Sequence, residues 1–272
     1  MFDSVQTHFD KRRRVRLCRC VSLIMILFIV GSAYPASAAD TEAHNWYVMG
    51  NDIHSKPLLG ADQKFISDYD AVYLNDNCGE EKVVYLTFDA GYENGNVAKI
   101  LDALKEHNAH GAFFVLEHLI RAEPDLVRRM KDEGHLVCNH TASHRDMTEV
   151  HDEGSFCAEL EKLESAYREV IGGEMAKFFR PPEGRYSAEN LKFATDHGYT
   201  TVFWSFAYAD WDNAKQPDRE KALKKILLHI HPGEIMLLHP TSSCNAAILG
   251  DLLTELENQG YRFGSLDELK GV

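Results

Sequence analysis

Polar side chains that could carry acid–base or metal chemistry follow several apolar runs of this 272-residue sequence. The first is Asp89, which comes shortly after the apolar run "KVVYL" and opens the loop of the stretch "TFDAGYENG". The other side chains of this kind, each near the end of an apolar run, are His140, His144, Arg180, Asp210 and His239. Because the carboxyl ends of parallel strands share one side of an α/β fold, we expect these six side chains to meet there.

The motif "NHTASH" places His140 and His144 four residues apart, immediately after the apolar run "HLVCN". Two imidazoles at this spacing, on one helical turn or in a tight loop, can reach one divalent cation. The alternative is a pair of surface histidines, since the chain contains 14 histidines. Together with the other groups at the strand ends, the spacing favours a metal site.

Seven short apolar runs alternate with amphipathic stretches from residue 83 onward. The runs predicted as strands are 83–88, 111–116, 135–139, 177–180, 200–205, 234–238 and 261–265. The stretches predicted as helices are 96–107, 124–134, 152–173, 187–198, 219–230 and 245–260. Strands that alternate with helices indicate parallel βαβ units, either in a closed barrel or in a doubly wound sheet.

The first 38 residues have the composition of a secretory signal peptide. The basic block "KRRRVRLCRC" precedes the apolar run "VSLIMILFIVG", and small residues follow as far as Ala38. Because this run is shorter than the roughly 20 residues that span a bilayer, we predict cleavage after Ala38, with an uncleaved signal anchor as the alternative. Either way, we expect an exported protein, secreted or associated with the cell wall. The predicted parts are the signal peptide (1–38), an N-terminal extension packed on the outside of the fold (39–80) and the main domain (81–272).

Without residues 1–38 the chain carries 23 Lys and Arg against 40 Asp and Glu side chains, a formal charge of −17. A surface of this charge repels a phosphate backbone, so we expect no nucleic-acid partner. The cysteines outside the leader lack the CxxC spacing of a zinc site. They are Cys78, Cys138, Cys157 and Cys244. Export permits disulfides, but the sequence leaves their pairing open.

Five motifs occur in order between residues 82 and 269: "TFDAG", "HTASH", "RPPEG", "DW" and "LLH". In this order and spacing they resemble the polysaccharide deacetylases, also called the NodB-homology or carbohydrate esterase family 4 enzymes. The longer stretches "TFDAGYENG", "VFWSFAYADW", "HPGEIMLLH" and "NQGYRFGSLDEL" resemble the branch that deacetylates N-acetylmuramic acid in peptidoglycan. The resemblance implies an α/β fold, a distorted (β/α) barrel with about seven strands. It also implies a metal-dependent amidohydrolase that removes an N-acetyl group from an amino sugar.

The resemblance further implies a catalytic role for four side chains. Asp89 matches the base that takes a proton from the attacking water, and Arg180 matches the residue that pairs with this base. His239 matches the general acid that protonates the departing nitrogen, and Asp210 matches the carboxylate that orients the acid. The alternative for Arg180 and Asp210 is a structural ion pair with each other.

Ligand and substrate contacts are carried over in the same way. His140 and His144 match ligands of a divalent metal, and Zn2+ is the expected ion. Trp211 and Leu237 match residues that line the substrate pocket near the acetyl methyl group, and Pro181 is a further expected substrate contact. For Trp211 the alternative is packing in the core.

The sequence departs from the family pattern at two positions. The usual motif reads Thr-Phe-Asp-Asp-Gly, and its second Asp is the third protein ligand of the metal, whereas this chain has Ala90. A two-histidine site, a substitute ligand from Glu93, or loss of the metal are the possible outcomes. The second departure is Glu183, where many relatives carry an aromatic residue, and this change is expected to adjust the sugar subsite.

Three functions are compatible with these features. The leading hypothesis is a secreted deacetylase of N-acetylmuramic acid in peptidoglycan, whose product is the precursor of the δ-lactam of spore cortex. The first alternative is a deacetylase of N-acetylglucosamine in peptidoglycan or chitin oligomers, and the second is an inactive carbohydrate-binding pseudoenzyme. We expect a monomer with a peptidoglycan glycan strand as its partner, and contact with the membrane only transiently, through the signal peptide.

Overall fold

A computed structural model describes residues 40–270 of the chain as an α/β fold. The strands are β1 (His44–Asn45), β2 (Ala71–Val72), β3 (Val83–Ala90), β4 (Gly111–Val115), β5 (Leu136–Asn139), β6 (Ala176–Phe179), β7 (Arg185–Tyr186), β8 (Thr200–Val202), β9 (Glu234–Leu238) and β10 (Arg262–Phe263). The helices are α1 (Val97–Glu106), α2 (Glu117–Ala122), α3 (Pro124–Asp132), α4 (Glu153–Val170), α5 (Ala188–Asp196), α6 (Arg219–His229) and α7 (Ser243–Asn258). Every predicted strand and helix has a counterpart among these elements.

A single parallel sheet forms the centre of the described fold. Its strand order is β10-β3-β4-β5-β6-β8-β2, and β9 also pairs with β3. The sheet curls until the segment after β8 reaches β9, where the Ser205 N–H donates to the Ile235 carbonyl (3.0 Å) and the Leu237 N–H donates to the Phe206 carbonyl (2.9 Å). The curled sheet with its outer helices confirms the predicted distorted (β/α) barrel.

The segment predicted as an external extension contributes strands to this fold. Strand β2 pairs in parallel with β8, and the Thr201 N–H donates to the Asp70 carbonyl (2.8 Å). Strand β1 pairs antiparallel with β7, and next to it the Trp46 ring stacks on Phe203 with centroids 4.2 Å apart. The segment is therefore built into the sheet edge, while the domain boundary near residue 80 stays a prediction.

The helices that cover the barrel have defined starts and apolar inner faces. In α1 the buried side chains recur at helical spacing, which directs one stripe of the helix to the sheet; they are Val97, Ile100, Leu101 and Leu104. Four of these helices begin after a side chain that accepts a backbone N–H of the first turn; these side chains are Asp152, Ser187, Asp218 and Ser242. Such caps fix where each helix begins, and hence where the preceding loop must run.

The predicted signal peptide lies outside the described residues. Within residues 40–270, no helix has the length and apolar content needed to cross a membrane. The cysteines of this part of the chain are all free thiols, so none of the pairings left open by the sequence is formed.

Candidate active site

A cleft of about 710 Å³ opens at the carboxyl ends of the barrel strands. The sequence-predicted residues that line it are Asp89, His140, His144, Trp211, Leu237 and His239. The remaining lining residues are Gly91, Tyr92, Leu116, Glu183, Gly184, Trp204, Ala207, Tyr208 and Thr241. Arg180 and Asp210 are buried behind this lining, and each is hydrogen-bonded to one of its members. The predicted convergence of strand-end side chains is therefore present in the structure.

Asp89, near the end of β3, is held by a fully buried guanidinium. Arg180 Nη1 donates to Asp89 Oδ1 (2.8 Å). The other nitrogens of Arg180 donate to the Val202 carbonyl (2.9 Å), to Thr87 Oγ1 (2.9 Å) and to the Phe203 carbonyl (3.2 Å). These bonds fix the planar guanidinium, so the Asp89 carboxylate has one defined orientation.

The surroundings keep Asp89 ionised. Burial alone would raise the pKa of Asp89, but the charge of Arg180 and the imidazoles of His140 and His239 outweigh it, and the pKa is lowered overall. Because Oδ1 is engaged by Arg180, Oδ2 is the oxygen left to accept a proton. The alternative pairing of Arg180 with Asp210 is not formed.

Asp210 and His239 form the second acid–base pair of the cleft. Asp210 Oδ1 lies 2.7 Å from His239 Nδ1, and Asp210 Oδ2 accepts the backbone N–H of His239 (2.8 Å). Asn245 of α7 also donates to Asp210 Oδ2, and the Tyr208 hydroxyl donates to Asn245. Burial would lower the pKa of His239, but the hydrogen bond and charge of Asp210 raise it overall. His239 thus retains a proton more readily than an ordinary histidine and presents Nε2 to the cleft.

The two histidines of the "HTASH" motif lie side by side at the end of β5. Their ring centroids are 5.1 Å apart, and the rings are inclined by 75°. His140 Nδ1 donates to the Arg180 carbonyl (2.8 Å), while its Nε2 lies 3.7 Å from Asp89 Oδ2. Burial lowers the pKa of His140 to about 4, so this imidazole is neutral at ordinary pH.

The loop that carries these histidines is held in an uncommon conformation. Thr141 and His144 have left-handed backbones, with φ of 68° and 59°. Thr141 Oγ1 accepts the His144 N–H (2.9 Å), and Asn139 Oδ1 accepts the Thr141 N–H (2.9 Å). From α4, Glu159 accepts both the backbone N–H (3.2 Å) and the hydroxyl (2.9 Å) of Ser143. A strained loop persists only where neighbouring bonds over-determine it, which is common at functional sites.

Both imidazoles are donors of the kind that a divalent metal binds, which fits the expected metal site. His140 donates a hydrogen bond from Nδ1–H to a backbone carbonyl, and this arrangement leaves Nε2 free as a metal ligand. Ala90 is fully buried, and Glu93 lies outside the cleft lining and accepts the Gly95 N–H. No group of three His, Cys, Asp or Glu side chains within the described range could hold a metal ion. The protein therefore offers two nitrogen ligands, and the rest of a coordination shell would have to be water or substrate.

The residues expected to contact substrate differ in their positions. Trp211 lines the cleft and is 60% exposed, which excludes packing in the core. Leu237 also lines the cleft. Pro181 does not line it, because the following turn brings Glu183, with a φ of 58°, and Gly184 to the wall instead.

Sequence reasoning missed several contributors. Tyr92 lies within the quoted stretch "TFDAGYENG", and its hydroxyl bonds to Asn213 Nδ2 across the rim (2.5 Å), so the motif itself was a signal. Tyr208 likewise lies within the quoted stretch "VFWSFAYADW", and its hydroxyl donates to Asn245. Asn245, by contrast, supports the Asp210 carboxylate from α7, and no motif in the sequence marks it.

The barrel and the paired acid–base groups beside two histidines define an amide or ester hydrolase that acts at the strand ends. The sequence model of the family described as "Polysaccharide deacetylase" matches residues 76–202. The chain is 38% identical to the peptidoglycan N-acetylmuramic acid deacetylase PdaA of Bacillus subtilis, over 92% of this chain and 94% of that protein. The chain belongs to the polysaccharide deacetylase family.

Solved structures agree with this membership. The structure of Bacillus subtilis PdaA, a family 4 carbohydrate esterase, superimposes with a TM-score of 0.80 at 39% identity and covers 85% of this chain and 97% of its own. A family 4 pseudoenzyme from Bacillus anthracis is more distant, with a TM-score of 0.66 at 27% identity over 73% of this chain and 68% of its own. The predicted family, fold and class of metal-dependent hydrolase are confirmed.

Proposed function

We propose that this protein removes the N-acetyl group from N-acetylmuramic acid in peptidoglycan, leaving muramic acid and acetate. The observation that carries the proposal is the cleft, in which the ionised Asp89 carboxylate and the His239 imidazole, whose pKa is raised, lie beside the paired His140 and His144. The sugar assignment is supported by the similarity over nearly the whole chain to a protein named for that activity. Export and a role in sporulation are part of the proposal, and they depend on the leader composition and on the branch resemblance.

The residues act by binding, orienting and moving protons. Asp89, kept ionised by Arg180, takes a proton from the attacking water at Oδ2. His239, whose pKa Asp210 raises, delivers a proton to the amide nitrogen as the carbon–nitrogen bond breaks. His140 and His144 would hold the metal, and the chemistry that a divalent ion supplies is polarisation of the acetyl carbonyl and a lower pKa for a bound water. Trp211 and Leu237 confine the acetyl group and the sugar ring.

A second candidate is a pseudoenzyme that binds glycan without cleaving it. Two observations favour it: Ala90 in place of the third ligand, and the similarity to a family pseudoenzyme. Against it stand both intact proton-transfer pairs, which a binding module does not require.

The test is product analysis on defined glycan strands, with and without peptide stems, after incubation with chelator or with added Zn2+. The glycan strands are then digested, and mass spectrometry determines the mass of each sugar. We expect loss of the acetyl unit on muramic acid only, and slower loss for the Asp210→Asn variant at the same protein concentration. Loss on glucosamine instead would support the first alternative, and binding without any loss would support the pseudoenzyme.

A further inference from the structure

Large apolar side chains that face solvent fall into two groups in the described part of the chain. Tyr92 and Trp211 belong to the rim of the cleft. The others lie on the N-terminal segment and at the end of α6; they are Tyr47 (45% exposed), Met49 (51%), Ile53 (77%), Leu58 (70%) and Leu228 (39%). The proposed reaction assigns no role to this second group, which lies outside the lining of the cleft.

Four members of the second group come together, because the loop 49–58, which carries Met49, Ile53 and Leu58, is fastened to the end of α6 beside Leu228. Within the loop, the Met49 N–H donates to the Leu58 carbonyl (3.2 Å), which brings its two arms together. His229 Nε2 lies 3.2 Å from Asp52 Oδ1, and His54 Nδ1 lies 2.9 Å from the Ile230 carbonyl. Leu228 is therefore next to the loop, and the exposed Ile53 lies between the two loop residues that bond to the end of α6.

Lysines extend this surface along α6. Lys224 and Lys225 are exposed, and with Leu228 they occupy neighbouring positions one helical turn apart. Among the ion pairs of residues 40–270, none involves Lys224 or Lys225, whereas Asp52, the nearest acid of the loop, is engaged by His229. The domain as a whole has a formal charge of −17, so any attraction to an anionic surface must be local to these two lysines.

This surface, made of Met49, Ile53 and Leu58 with Lys224, Lys225 and Leu228, is called the basal face below. The end of α6 leads directly into the amino end of β9, whereas the cleft residues Leu237 and His239 come at its carboxyl end. The basal face thus lies at the opposite end of the barrel from the cleft.

We propose that the basal face docks onto a bilayer rich in anionic phospholipid. Lysines beside apolar side chains are the combination that binds such an interface, where the apolar groups enter the headgroup region and the cations contact phosphate. The apolar side chains Met49, Ile53 and Leu58 are each more than half exposed on a loop, which suits a deformable surface. Fifteen residues, 32–46, separate Tyr47 from the apolar run 21–31, so an uncleaved leader would hold the face near the membrane.

Docking in this way would direct the catalytic cleft away from the bilayer. The glycan strands of a cell wall lie on that outer side, so the bound enzyme would present its cleft to substrate. This contact would last longer than the transient one expected from the leader alone.

Vesicle flotation tests the proposal. The chain from residue 39 onward is suitable for this experiment, because it contains every described element. The solved structure of Bacillus subtilis PdaA also has little beyond the part that superimposes on this chain, which covers 97% of its own length. We expect it to float with vesicles of phosphatidylcholine and phosphatidylglycerol, and not with phosphatidylcholine alone. Each lysine near an anionic surface strengthens binding about fivefold, so Lys224→Glu with Lys225→Glu should weaken it by about 25-fold or more. Ile53→Ser with Leu58→Ser should weaken binding at high salt as well.

The matched control is Lys64→Glu with Lys215→Glu, which changes the net charge equally at exposed lysines elsewhere, and this variant should bind like the parent. All variants should retain the parent's far-ultraviolet circular dichroism and acetate release from soluble glycan. Equal binding to neutral vesicles, or equal weakening by the control, would overturn the proposal. The proposal would also be overturned if the basal-face variants weakened only the binding to purified wall glycan, or only the self-association measured by sedimentation.

Discussion

The buried Asp89–Arg180 pair makes a prediction whose magnitude and sign both follow from the structure. Arg180 is 0% exposed, and Asp89 has only 12% of its side chain exposed. Replacing Arg180 by Met keeps the volume and removes the charge, which leaves a buried carboxylate without its partner. Removing one member of a buried pair typically costs about 3–5 kcal/mol. We expect Arg180→Met to lower the free energy of unfolding by this amount at neutral pH.

The pH dependence should reverse between parent and variant. In the parent, the pKa of Asp89 is lowered on folding, so the pair stabilises the protein above the unfolded pKa of about 3.9, and the contribution is lost as pH falls through the lower folded pKa. In Arg180→Met, burial acts without that opposing charge and raises the pKa of Asp89. The variant's deficit should therefore be largest at neutral pH and shrink as pH is lowered toward 4, roughly the unfolded pKa of Asp.

Urea unfolding at several pH values measures both effects. The matched variants are Asp89→Asn, which leaves the guanidinium unpaired, and the double variant Asp89→Asn with Arg180→Met, which removes both charges. The double variant should be less destabilised than the sum of the singles, since neither charge remains buried alone. A deficit for Arg180→Met below about 1 kcal/mol that does not change with pH would refute this reasoning, because that is the behaviour of an exposed pair.

Three further outcomes follow from the site. Asp210→Asn should remove the interaction that raises the pKa of His239, so the alkaline limb of the pH–rate profile should move to lower pH; an unmoved limb would argue against His239 as the acid. Trp211→Ala should raise KM while changing the free energy of unfolding by less than about 1 kcal/mol, because the ring is 60% exposed; a large loss of stability would contradict its placement in the cleft. Glu159→Ala should weaken metal binding about tenfold in calorimetry, since the loop that carries His144 loses two hydrogen bonds, and unchanged affinity would show that the loop holds without them.

Most of the strands and helices could be predicted from periodicity alone, whereas the closed barrel was implied only by the family resemblance. Strands buried on both faces read as continuous apolar runs, and the run 234–238 matches β9 (Glu234–Leu238) at both ends. The run 200–205 was predicted too long, because β8 ends at Val202 and the chain then turns to hydrogen-bond with Ile235. Strand β2 (Ala71–Val72) was missed, since two residues in a polar segment pair only through the tertiary contact with β8.

The site was predictable where a single ionisable side chain follows the end of an apolar run, as Asp89 and His239 do. What the sequence could not provide is how these side chains are held. The bond from Asn245 to Asp210 depends on where α7 begins, and the bonds of Arg180 to the Val202 and Phe203 carbonyls depend on the end of β8. Such contacts join distant parts of the chain, so no local pattern reports them.

The most direct test of the central claim measures two quantities, acetate release from N-acetylmuramic acid glycan and the amount of Zn2+ bound. Both are measured for the native protein and for Ala90→Asp. We predict metal-dependent release by the native protein, with tighter metal binding in the variant because a carboxylate joins His140 and His144. If the native protein binds no metal and releases no acetate while Ala90→Asp does both, two histidines are insufficient and the native chain is not a deacetylase.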